Sequence, residues 1–494
     1  MPKPKLEISR KHFWWITVLL LAFLAGTNLA AYCFGLSKGG SSAPPGGEYD
    51  LTLPESLESE WEIFIEVIER LRESYLYPLD LSELVRGAVR GAVEAVGDPR
   101  TVFYDTQELT NFLIQKEGSF CGIGVRIVEI DEEIVVMETI PGSPAAAAGI
   151  SPGDRIYRAG TQELSGLGLT RAAEILRGEK GSSVALSIRR PGRKEEQHLT
   201  LVRDEIIIDT VFSRMEKPGL GYISISNFDR KTGASFAEQL RLLENAGLHK
   251  GLILDLRDNP GGLVDEAIKV AGLIVPEGEI ARLVGRDGEV REIYHSSAPG
   301  KNYPIVVLVN EETASAAEIL AGALQDRGAA LLVGAKTYGK ATVQQPENLP
   351  GGNALLLTVA RYLTPAEKDI DGTGLEPDIS VETPLFLKYY RYFLPLRLAQ
   401  GDYGPGVQML QEMLAELGYK PGEEGYFDEA TAAALSEFQA AAGLEASGVF
   451  DDLTWLQFRQ VFEKLSRERD PQLRRAVELI EQPSMQLEPG RKVN

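Results

Sequence analysis

PIVVLVNEETASAAEILAGALQD, residues 304–326, is the stretch that decides the fold. PIVVLVN (304–310) is a short apolar run that reads as a buried strand. EETASAAEILAGALQD then opens a helix, with Ser315 in its first turn. GLILDLR (251–257) and ALLVG (330–334) read as further strands, with a helix at 263–273 between the first two. Residues 206–385 thus alternate strands and helices around a central sheet, an α/β pattern.

A helix start presents unpaired backbone N–H groups and a partial positive charge. A serine there can attack a carbonyl, and the Ala316 amide beside it can stabilise the developing oxyanion. The plainer reading is a cap, with Thr313 as the capping residue. AKTYGKATVQ (335–344) shifts the balance by placing Lys340 among small residues. Lysine acts as a base only when neutral, and at an ordinary pKa of ~10.4 roughly one in 2,500 is neutral at pH 7. Burial must lower that value by about 3 units for useful catalysis. LDLRDNPGGLVDEA (254–267) sets Asn259-Pro260-Gly261-Gly262 between a strand and a helix. Glycine lets backbone approach a ligand closely, so an amide of Gly261 or Gly262 is a candidate second oxyanion donor.

The flanks carry other patterns. Trp61, Ile63, Phe64, Val67, Ile68 and Leu71 recur at helical spacing in 55–95, suited to packing or to pairing two subunits in a homodimer. GIGVRIVEI, EIVVMETI, RIYRAG, SVALSIRR and HLTLV within 121–204 read as strands of a small mixed β domain, with a helix at 169–177. GYFDEAT (425–431) and GVFDDLT (448–454) repeat 23 residues apart and predict a small helical module over 402–460. Residues 461–494 read as one charged helix and a polar tail.

FWWITVLLLAFLAGTNLAAYCFGL (13–36) is long enough to span a bilayer. Lys3, Lys5, Arg10 and Lys11 precede it and acidic residues follow, so residues 1–12 are expected in the cytoplasm and the remainder outside. A cleaved signal peptide would have a shorter apolar core. SKGGSSAPPGGEYD (37–50) is a flexible linker. With 72 acidic against 51 basic residues the net charge is −21, which argues against nucleic acid as a partner. Cys33 and Cys121 offer no disulfide framework, and the four histidines show no metal-binding spacing. No metal or cofactor is expected.

Together these segments resemble the carboxyl-terminal processing, or tail-specific, serine proteases over roughly residues 55–385. Ser315 matches the family's nucleophile, and Lys340, 25 residues later, its general base. Gln344 matches the glutamine that orients the lysine, and Asp326 an acidic position at the helix end. ARYLTP (360–365) and GTGLEPDISV (372–381) match later strands. Ala341 and Ala317 depart from the family's usual Gly and Ser without replacing a reacting group. The resemblance implies a PDZ domain that captures a substrate's C-terminal tail, with Gly122-Ile123-Gly124-Val125 as its carboxylate loop. Arg155, in the Gly153-Asp154-Arg155-Ile156 turn, becomes a candidate for coupling tail binding to activation. Residues 402–460 resemble a peptidoglycan-binding module.

The expected protein is multidomain α/β. It has a cytoplasmic tail (1–12), a transmembrane helix (13–36), a linker (37–53) and a helical region (54–120). A PDZ β domain (121–205) and an α/β protease core with a Ser-Lys dyad (206–390) follow. A helical peptidoglycan-binding-like domain (400–460) and a C-terminal helix and tail (461–494) complete it. The implied function is cleavage of protein substrates at the outer face of the cytoplasmic membrane. A catalytically silent scaffold and a cell-wall hydrolase are the alternatives.

Overall fold

The computed structural model describes residues 57–130, 132–191, 193, 195–389 and 397–482. The 13–36 span expected to cross a membrane lies outside them. Among the described residues no helix is long and apolar enough to do so. The described residues up to Arg86 and those from Gly87 onward form two compact units. In the first, helix Glu58–Ser74 stacks Trp61 on Phe64 with ring centroids 5.3 Å apart.

The second unit is built on a six-stranded sheet. Its order is Val211–Lys217, Leu220–Ile225, Gly251–Asp255, Ile305–Val309, Ala330–Gly334 and Ile379–Ser380. Only the first pair is antiparallel. Ile305–Val309 and Ala330–Gly334 are buried along their whole length, which is why they read as unbroken apolar runs. Helices Thr232–Asn245, Val264–Ile274 and Ala316–Asp326 pack their apolar side chains into the largest core cluster.

The opposite face holds a surprise for the sequence. Residues 461–494 were expected to hold one charged helix, yet helix Asp452–Arg469 stops at Asp470, because Pro471 has no N–H with which to continue it. A second helix, Pro471–Glu481, lays Ala476, Val477, Leu479 and Ile480 on Leu220, Ile253, Val306, Leu308 and Val333 of the sheet. Its N-terminus is wired in by charge. Asp470 accepts from Leu473 N–H at 2.9 Å and pairs with Arg257 at 2.8 Å, which also pairs with Asp255 at 2.6 Å. Gln472, fully buried, accepts from Arg257 at 3.0 Å and donates to the Val381 carbonyl at 2.9 Å.

The region 54–120 is not purely helical either. Val102–Tyr104 pairs with Ala354–Leu363 in a second sheet, and Ser119–Gly122 pairs with Asp204–Ile207. The expected strand GIGVRIVEI therefore splits at Ile123-Gly124, where Gly124 adopts φ +80°. Its later half, Val125–Ile130, joins a sheet ordered Val125–Ile130, Glu133–Thr139, Arg155–Ala159, Ser183–Arg189, Gln197–Val202. The helical module, with helices Pro405–Glu416, Glu429–Ala441 and Asp452–Arg469, explains the internal repeat. Gln411 donates to Thr431 Oγ1 and accepts from Gly425 N–H at 2.7 Å. Gln439 does the same with Thr454 Oγ1 and Gly448 N–H at 2.9 Å. Each glutamine thus supplies the buried polar closure of one repeat.

Candidate active site

In a parallel sheet, ligand sites form beyond the C-terminal ends of the strands. Three loops meet there, after Gly251–Asp255, after Ile305–Val309 and after Ala330–Gly334. Cross-links fix them to one another. Asn310 Nδ2 donates to Asp258 Oδ1 and Thr313 Oγ1 to the Leu256 carbonyl, both at 2.8 Å. The Ala314 N–H donates to the Asn259 carbonyl at 2.9 Å, and the Tyr338 N–H to the Thr313 carbonyl at 3.0 Å.

Ser315 sits at the start of helix Ala316–Asp326 with φ +55°. That is left-handed backbone for a non-glycine residue, a strain found where surrounding structure overrules local preference. What overrules it is Glu318. This fully buried carboxylate accepts from Ser315 N–H and Lys340 N–H at 2.8 Å each, from Gly339 N–H at 2.7 Å, and from the Thr337 hydroxyl at 2.5 Å. One side chain therefore holds the backbones of the serine and lysine segments together. The sequence offered a signal for it: Ser315-Ala-Ala-Glu318 has the capping-box spacing.

Lys340 is partly buried. Among the described residues its ammonium makes no hydrogen bond to Ser315 Oγ, and no ion pair. Burial, helped by the Arg100 guanidinium, lowers its pKa below the ordinary lysine value, against the pull of Asp98 and Glu318. Gln344 does not reach it. Its amide donates instead to Thr342 Oγ1 at 2.9 Å and Thr358 Oγ1 at 3.3 Å. Strand Thr342–Asn348 shifts register between Val343 and Gln344, and such bulges re-aim side chains.

Gly261, at φ +100°, packs so closely that a Cβ there would lie 2.7 Å from Ser315 Cβ and 2.9 Å from Ala316 N. Its own N–H, however, donates to Asn259 Oδ1 at 2.8 Å, so it is not free for an oxyanion. Among the described residues, the N–H groups of Ala316 and Gly262 meet no acceptor. Asp326 holds Lys368 at 2.7 Å and the Ala366 N–H at 3.0 Å, away from the chemistry.

Ile123, Gly124 and Val125 line a groove in the β domain, with Phe120, Leu169 and Leu176. Gly122 precedes it in the strand paired with Asp204–Ile207. A Cβ on Gly124 would fall 2.2 Å from Ser143 Cβ, so glycine is required there. Arg155 is far from this groove in role. It pairs with Glu133 and with Asp452 on the helical module, whose Arg459 donates to the Met137 carbonyl at 2.5 Å. The module thus grips the β domain through the residue expected to signal to the active site. Alanine at Arg155, at Asp452 and at both is expected to reveal a coupling of about 1 kcal/mol in chemical denaturation. Strict additivity would show that the pair contributes nothing.

Comparison with known proteins follows this layout. The model of peptidase family S41 matches residues 219–381, that of the PDZ domain 111–189, and that of a peptidoglycan binding domain 403–457. The carboxy-terminal processing protease CtpA of Bacillus subtilis is 32% identical over 424 residues, 86% of this chain and 91% of that protein. CtpB of the same organism is 32% identical over 419 residues, 83% of this chain and 87% of its own. A solved structure named photosystem II D1 C-terminal processing protease is 31% identical, covers 65% of this chain and 86% of its own, and has a TM-score of 0.41.

Proposed function

The chain belongs to peptidase family S41, the carboxy-terminal processing serine proteases, and from that premise we propose a membrane-anchored, extracytoplasmic endopeptidase with a Ser-Lys mechanism that selects substrates by their C-terminal tails. The observation that carries the mechanism is the Glu318 carboxylate, bonded to the backbone of both Ser315 and Lys340. Ser315 Oγ attacks the scissile carbonyl while Lys340 takes its proton. The Ala316 and Gly262 N–H groups hold the oxyanion. Lys340 then returns the proton to the leaving amine, and water hydrolyses the acyl-enzyme. The unmade bond between Ser315 and Lys340 fits a resting form completed when a tail docks, since apo geometry tightens in the substrate complex.

The substrate's tail adds as a strand beside Val125–Ile130, its carboxylate on the N–H groups of Gly122–Val125. The apolar span at 13–36, with basic residues before it, supports an anchor that leaves the catalytic part outside. The 403–457 match supports contact with peptidoglycan on that side. Two peptides identical except for a free or amidated C-terminus test tail selection. Because charge-assisted hydrogen bonds are worth about 1.5–3 kcal/mol, kcat/KM is expected to be about 10- to 100-fold higher for the free acid. Equal values would remove tail recognition from the reading.

A further inference from the structure

The loop that carries Lys340 is held from outside the protease core by one side chain. Arg100 follows the Gly97-Asp98-Pro99 loop and is 22% exposed at its side chain. It donates to the Gly339 carbonyl at 3.4 Å, to Thr342 Oγ1 at 2.9 Å and to Asp371 Oδ1 at 2.5 Å. Asp371 in turn accepts from the Ala341 N–H at 3.0 Å. The guanidinium therefore bonds both flanks of Lys340, and Arg's planar fork suits such multiple contacts.

The charges around the lysine explain why a fixed cation matters there. Asp98 and Glu318 both act on the Lys340 amine, and Asp371 sits one residue away on Ala341 N–H. Lys116, on helix Thr106–Glu117, is a second amine close enough to feel the Lys340 charge. Asp98 and Glu318 left to themselves would favour the protonated amine, because an opposite charge nearby favours the charged form. The Arg100 guanidinium supplies the positive charge that opposes them.

We propose that Arg100 is a positioning residue that clamps the loop on both sides of Lys340 and holds its amine available to Ser315. This rests on the Ser-Lys reading. Burial and Arg100 both lower the Lys340 pKa, in keeping with it.

The test is the pH dependence of kcat/KM on a single peptide for wild type, Arg100→Gln, Arg100→Lys and Asp98→Asn. Activity rises with pH as Lys340 loses its proton. Arg100→Gln is expected to move that rise upward by about one pH unit, losing about 10-fold at pH 7 and recovering towards wild type at high pH. Arg100→Lys, which keeps the cation, returns the rise towards its original position. Asp98→Asn, which removes one opposing charge, moves it downward and serves should Arg100→Gln not fold. A loss equal at every pH, or an unmoved rise in both Arg100→Gln and Asp98→Asn, overturns the proposal. Lys340→Arg separates the two readings. If it is inactive while the rise stays put, only the role of Arg100 fails; if it retains activity, the Ser-Lys mechanism fails first.

Discussion

Ser315→Ala is expected to fold as the wild type does and to cleave peptides about 10⁴- to 10⁶-fold more slowly in kcat. Removing the nucleophile of a serine hydrolase costs about 10⁶ in kcat, and what survives comes from binding and the oxyanion donors. A loss of 10⁵ corresponds to about 7 kcal/mol of transition-state stabilisation. Alanine keeps the Glu318 bond to the backbone N–H, so the loops stay in place. It also keeps the φ +55° strain, since any side chain suffers there. Ser315→Gly separates strain from chemistry, being expected to be equally inactive yet up to about 1 kcal/mol more stable in thermal or denaturant unfolding. Cleavage by Ser315→Ala within 10-fold of wild type, with other proteases excluded, would return the protein to the scaffold reading.

Glu318→Ala should be the most damaging change made without touching a reacting atom. It strands four donors, the N–H groups of Ser315, Gly339 and Lys340 and the Thr337 hydroxyl. A buried donor left unsatisfied costs about 1–3 kcal/mol, and neighbours sharing one partner do not add in full. Stability is expected to fall by about 3–5 kcal/mol, and kcat/KM by at least about 10³-fold, because a 1 Å misplacement of catalytic groups alone costs about 10². Glu318→Gln keeps the shape but offers one acceptor oxygen in place of two, so it should fall between. An alanine variant with wild-type unfolding and cleavage would show that the two loops are held by something else.

The strands and helices of the core were legible because parallel strands buried on both faces leave solid apolar runs, as Ile305–Val309 does. That the Ser315 and Lys340 segments lie together was legible from the strand-turn-helix pattern and the family resemblance. Glu318 was written in the sequence as Ser-x-x-Glu, but a motif normally taken for a cap concealed its second partner, the Lys340 loop. Arg100 could not be found, since it meets Thr342 across 242 residues of chain. That the Gln344 amide turns to Thr342 and Thr358 here could not be read, because a register shift in a strand leaves no mark in composition. The helix Pro471–Glu481 was missed for another reason. Leu473, Ala476, Val477 and Ile480 do have helical spacing, yet the charged residues around them suggested solvent on every side.

That helix has a temporal consequence. It covers strands drawn from residues 220 to 333, and Asp470 at its head meets the Arg257 charge just upstream of the Gly-rich loop beside Ser315. A polypeptide emerging amino end first must wait with an uncovered sheet, and with Arg257 paired to Asp255 alone, until residues 470–481 have been synthesised and have swung back. Until then the core lacks the cover over Leu220, Ile253, Val306, Leu308 and Val333, so its last layer is laid down only when the chain is almost complete.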